Sequence, residues 1–104
     1  MDEYYVNVTQ TAFDDLADIV LYIKDELKEP AVSDNLLARI KKGIFSLNIL
    51  PYRNPLVRDK ALAAQGYRCM FVGNYTIFYV VSESNRIVDV SRVRYSRREW
   101  VNLL

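Results

Sequence analysis

The chain has 104 residues, 51% of them hydrophobic and 26% charged, and a formal net charge of +1. This length and balance predict one domain, residues 1–104, with a core of its own rather than a disordered segment. With one cysteine and no histidine, an internal disulfide, a histidine-based catalytic triad and a His/Cys zinc centre are all excluded.

Tyr4 to Val8, YYVNV, is aromatic and β-branched and predicts a first strand. Thr9 is placed to cap a helix. Its inner face is expected from Phe13, Leu16, Ala17, Val20, Ile23 and Leu27, which follow each other at three- and four-residue steps. Asp14, Asp15 and Asp18 near its start are expected to complement the helix dipole. Pro30 suits the first turn of a second helix, whose apolar side reads Val32, Leu36, Ile40, Gly43, Leu47 and Leu50, widened by Leu37 and Ile44, up to Pro51. So short a connection predicts an antiparallel helical hairpin. Residues 51–66 then read as a long loop carrying Arg53, Arg58 and Lys60.

From Tyr67 the period changes to two. Tyr67 to Val72 and Tyr75 to Val81 are expected as a hairpin around Gly73-Asn74, with a third strand from Arg86 to Arg94. Alternation along that strand predicts Arg86, Val88, Val90, Arg92 and Arg94 on one face. Ile87, Asp89, Ser91, Val93 and Tyr95 then fall on the other. Ser96 and Glu99 form a capping box for a short final helix with Trp100, Leu103 and Leu104. The order β-α-α-β-β-β-α predicts an α+β fold, its helical hairpin packed on a small antiparallel-rich sheet.

Charge is segregated along the chain. Residues 1–35 hold nine acids against Lys24 and Lys28, and residues 36–104 hold twelve basic side chains against four acids. The basic half ends in RVRYSRREW, Arg92 to Trp100, with four arginines beside Tyr95 and Trp100. Arginine's planar fork suits phosphate, and aromatic rings can stack on unpaired bases, so this pattern points to an anionic partner such as single-stranded RNA. The MDEYYVNV start lacks a signal peptide's basic and apolar regions, and no apolar run reaches the ~18 residues of a membrane span, so a cytoplasmic protein is expected.

The segments VTQTAFDDLADIVLYI, GYRCMFVGNYTIFYVV and VDVSRVRYSRREWVNLL resemble the RelE/ParE superfamily of bacterial type II toxins, known also from plasmid stabilisation. The resemblance covers nearly the whole chain. It implies a cytoplasmic toxin that needs no cofactor or metal, masked by an antitoxin encoded next to it. RelE-like members cut mRNA in the ribosomal A site by turning the 2′-hydroxyl onto the adjacent phosphate, whereas ParE-like members inhibit DNA gyrase without nuclease activity.

On the first pattern, Arg68 of GYR is the strand arginine and Tyr95 the C-terminal aromatic, with Arg97 and Arg98 as further catalytic candidates. Arg58, Lys60, Arg92 and Arg94 would bind RNA. The chain departs from several nuclease members in having no histidine near its end, and in having Met70 or Phe71 where a catalytic arginine stands. The first expectation is a ribosome-dependent mRNA endonuclease that inhibits translation. A ParE-like gyrase inhibitor, or a non-toxic basic module that binds only its antitoxin, stands as the alternative. As a surface residue, Arg68 is expected to be replaceable at a cost within about 0.5 kcal/mol.

Overall fold

The first strand and the last are paired across the whole length of the sequence. In the computed structural model, which describes residues 3–96, β1 (Tyr5–Val8) runs parallel to β4 (Ile87–Tyr95), with Val6 opposite Val88 and Val8 opposite Val90. β4 pairs antiparallel with β3 (Tyr75–Ser82), and β3 with β2 (Arg68–Val72), giving the spatial order β1-β4-β3-β2. Val72 faces Tyr75 across the Gly73-Asn74 turn, where Gly73 has φ +57°, as a tight hairpin requires. Two helices, α1 (Gln10–Leu21) and α2 (Pro30–Phe45), cover one face of this mixed sheet. The fold is thus the expected α+β arrangement. The final helix expected beyond Ser96 lies outside the described residues.

Local chemistry explains how the helices start. The Thr9 hydroxyl accepts the Ala12 N–H at 3.2 Å and donates to the Val90 carbonyl at 2.9 Å, so one side chain caps α1 and fixes it to β4. Pro30 occupies the first turn of α2. Between the two helices α1 loosens into a π-helical turn over Tyr22–Glu26, and Lys28 adopts φ +54°.

Several expectations about the helices need correction. α1 buries Ala12, Leu16 and Ile23, with Ile19 packed beside them, while Phe13 is 61% exposed, Leu27 is 53% exposed and Ala17 is also exposed. Leu16 and Ile23 of the expected face are thus buried, and docking onto the sheet turned that face so that Ala12 enters the core and Phe13, Ala17 and Leu27 do not. α2 ends at Phe45, not at Pro51, and a 3₁₀ turn follows over Ser46–Asn48. On its stripe Ile40, Ile44 and Leu47 are buried, but Val32 and Leu50 are exposed. The segment expected as a loop contains α3 (Lys60–Ala64), capped by Asp59, whose carboxylate accepts the Leu62 N–H at 2.9 Å.

The main core lies between the helices and the sheet and includes Ile40, Ile44, Ile77, Tyr79, Val88, Val90 and Val93. Gly43 lets α2 approach β2 closely, since a Cβ there would stand 3.0 Å from a Val72 methyl. A smaller cluster on the opposite face joins Val57, Cys69 and Phe78 beneath α3, with Leu62, Ala63 and Tyr67 around it. Among the described residues no helix is long and apolar enough to cross a membrane.

Candidate functional site

An extra residue in β4 decides where the arginines point. Tyr79 pairs with Val90 but Phe78 pairs with Arg92, so Ser91 is bulged out of register. Strict alternation breaks there. Val88, Val90 and Val93 all enter the core on the helix side, whereas Arg92 and Arg94 share the outer face with Phe78 and Thr76. The expected grouping of Arg92 and Arg94 with Val88 and Val90 is therefore wrong, because one inserted residue exchanges the faces beyond it.

β1 ends at Val8, so among the described residues β4 has no strand partner on that side beyond Val90. Asp15 of α1 takes the vacant position. Its carboxylate accepts the Val93 N–H at 3.0 Å and a two-pronged contact from Arg92, Nε at 2.8 Å and Nη2 at 3.1 Å. Arg94 Nη1 lies 3.8 Å from the same carboxylate. The hydrogen bond from Arg92 raises that guanidinium's pKa further above its ordinary range. Asp15 was expected to serve the helix dipole, but no acid stands in the first turn of α1. Asp14 instead accepts a hydrogen bond from Gln10. Replacing Asp15 with Ala leaves Arg92 and an edge N–H without their acceptor, and should lower stability by about 2–3 kcal/mol, read by urea denaturation.

Arg68 sits elsewhere. It pairs with Tyr79, while Tyr95 pairs with Tyr75, four residues along β3 and about 13 Å away by strand rise. Its Nη1 donates to the Asn54 carbonyl at 2.6 Å, and its guanidinium lies 5.1 Å from the Tyr52 ring centroid. Nearby, the buried Tyr79 hydroxyl donates to the Pro51 carbonyl at 2.6 Å and accepts from Asn54 at 3.1 Å. Arg68 and Tyr79 together hold the turn over residues 51–54 against the sheet.

That turn is tied down from a second side. Tyr4 and Tyr52 both donate to one oxygen of Glu83, at 2.8 and 2.9 Å, and Arg86 lies 3.2 Å from the other oxygen. The two phenol donors hold the Glu83 carboxyl below its ordinary 4.5. A group whose folded-state pKa is lowered stabilises the protein above its unfolded value and loses that contribution as pH falls through the folded one. Urea midpoints should therefore favour wild type over Glu83→Gln at about pH 6, and the difference should shrink as pH falls below the ordinary carboxylate range.

The remaining candidates are dispersed. Arg58 and Lys60 flank the start of α3 and are exposed. Arg58 lies near the buried Cys69 thiol, whose pKa burial pushes up and Arg58 partly lowers. Tyr95 packs edge-on against Tyr75 at 5.5 Å between centroids, on the helix side. Both rings line a groove of about 960 Å³ between the helical hairpin and the sheet tip, together with Tyr22, Leu36 and Arg39. Arg97 and Arg98 lie outside the described residues. The structure thus joins Arg92 to Arg94 and does not join either Arg68 or Arg58 to Tyr95. Tyr52 and Glu83 were not legible in the sequence, and Asp15 was legible only as a complement to the helix dipole, because each acts through a partner distant in the chain. The one local signal was an acid beyond the first turn of α1.

The family model for the ParE toxin of the type II toxin-antitoxin system parDE matches residues 6–100. No curated protein matches the chain. Among solved structures, the chain is similar to one in the RelBE2 toxin-antitoxin complex of Mycobacterium tuberculosis. The TM-score is 0.65 at 23% identity, over 89% of this chain and 98% of that one. It is similar also to one in a chromosomal ParDE toxin-antitoxin system of P. aeruginosa, with a TM-score of 0.73 at 13% identity, over 91% and 98% of the two chains. At such identities the two structures speak for the RelE/ParE-like fold, and the family match for membership: this chain belongs to the ParE toxin family of type II toxin-antitoxin systems.

Proposed function

We propose that this toxin arrests growth by binding DNA gyrase rather than by cutting mRNA. The observation that carries this reading is the separation of Arg68 from Tyr95. A phosphate held by one is out of reach of the other, and Arg68 is already committed to the Asn54 carbonyl and the Tyr52 ring. General base and charge-stabilising donor must meet the same reacting group, within about 3 Å. The family match to ParE toxins supports the same choice.

mRNA cleavage is the second reading, favoured by the nearness of Arg94 to Tyr95 at the end of β4. It would run on Tyr95 with Arg94, Arg97 and Arg98, without Arg68. The antitoxin partner follows from family membership. The groove beside Tyr95 and the exposed Phe13, Leu21, Tyr22 and Leu27 are apolar surface of the kind that a partner covers.

Purified protein added separately to a gyrase supercoiling reaction and to a translating extract separates the two. Blocked supercoiling with intact message is the expected result. Cleaved message with normal supercoiling would restore the nuclease reading.

A further inference from the structure

The contacts around Asp15 have the form of an anion site. A two-pronged guanidinium from Arg92, the Val93 N–H and the Arg94 guanidinium converge on one carboxylate, at 2.8 and 3.1, 3.0 and 3.8 Å. The Asp15 side chain is only 12% exposed, and those of Arg92 and Arg94 are 25% and 24% exposed. Forked arginine contacts joined by a backbone N–H are the set of donors that proteins present to phosphate. Here the protein fills the set with its own acid, delivered from α1 across 77 residues of sequence.

We infer that Asp15 is the built-in occupant of an anion site formed by Arg92, Val93 and Arg94, and that its carboxylate withholds these two arginines from nucleic-acid phosphate. The consequence is one of specificity. The outer face of β4 lies in the basic half of the chain, yet its two described arginines meet a carboxylate that cancels one of their charges and takes the fork of Arg92. A surface of this kind loses the counterion-release gain that drives binding to a phosphate backbone. It remains suited to a protein partner, whose contacts need shape and a modest local charge. The inference rests on the reading of a protein target only for its biological meaning. Its physical content is tested separately, by RNA affinity, while gyrase inhibition tests the target.

Asp15→Asn keeps the shape and removes the charge. Binding of a fluorescent single-stranded 20-nucleotide RNA should be weak for wild type at about 100 mM salt and at least tenfold tighter for the variant. Two freed arginines should steepen the salt dependence of log K by about 1.4. Adding Arg92→Ala to Asp15→Asn should return affinity toward wild type. In parallel, Asp15→Ala opens the site to a free anion. Inorganic phosphate should raise its melting temperature by several degrees over chloride at equal ionic strength, and leave wild type unmoved. Tight RNA binding by wild type would overturn the inference. So would a folded Asp15→Asn protein with unchanged RNA affinity and slope. If Asp15→Ala is too unstable to purify, the Asn variant and its double mutant decide the matter by themselves.

Discussion

Phe78→Ala should destabilise the protein by about 4 kcal/mol, the largest loss expected from a single substitution outside the main core. Phe78 is fully buried on the face of the sheet away from α1 and α2. Among the described residues its cluster holds two other buried members, Val57 and Cys69, with α3 and Tyr67 closing over them. A fully buried ring leaves a hole that its surroundings fill only in part, so a cavity term adds to the lost transfer energy. For a chain of about this length, 4 kcal/mol corresponds to a fall in melting temperature of roughly 20 °C. A second readout locates the damage. Cys69 is buried and burial raises its thiol pKa, so wild type should react slowly with a thiol reagent. In the Phe78→Ala protein α3 loses its seat, and Cys69 should be modified rapidly under native conditions. A variant with wild-type melting and a protected thiol would show that α3 is held by other contacts.

Arg68→Ala should lower stability by about 2–3 kcal/mol, well above the loss within about 0.5 kcal/mol expected for a surface arginine. The guanidinium makes a charge-assisted bond to the Asn54 carbonyl and covers the Tyr52 ring, so its removal frees the turn over residues 51–54 from β2. Limited proteolysis should then cut near Arg53, while the remainder of the chain stays resistant. Arg68→Lys should recover only part of the loss, because an ammonium has no planar face to lay on the ring. The effects of Arg68→Ala and Tyr52→Leu should be non-additive, since both remove one stacked pair. Loss of growth arrest in Arg68→Ala is therefore to be read beside its melting curve. If the protein melts like wild type and is still inactive, Arg68 touches the target after all, and the structural role given to it here is wrong.

Local sequence was enough for the elements whose physics is local. Thr9 and Pro30 mark the helix starts, Gly73-Asn74 marks the hairpin, and the change of period from 3.6 to 2 separates the helical half from the strands. Those signals need only a residue and its near neighbours, and they sufficed for the two long helices, the four strands and the α+β class. The helix α3 was legible too, as Asp59 ahead of KALAA, but a five-residue helix has little periodicity to announce it.

What tertiary structure decided is the direction of side chains and the company they keep. The apolar face of α1 legible in the sequence included the buried Leu16 and Ile23, but only the sheet beneath decides that Ala12 joins them and Phe13, Ala17 and Leu27 stay exposed. The bulge at Ser91 depends on the register of β3 against β4, a pairing energy between strands that no single strand contains. Once that register is set, Val93 turns inward and Arg92 and Arg94 turn outward. Asp15, 77 residues away in sequence from Arg92, then reaches the arginine and the Val93 N–H of β4 at the same time. A cluster of arginines read as free positive charge is, in the folded chain, partly neutralised. Coulomb's law acts on distances in space, and those distances are set by the packing of α1 on the sheet.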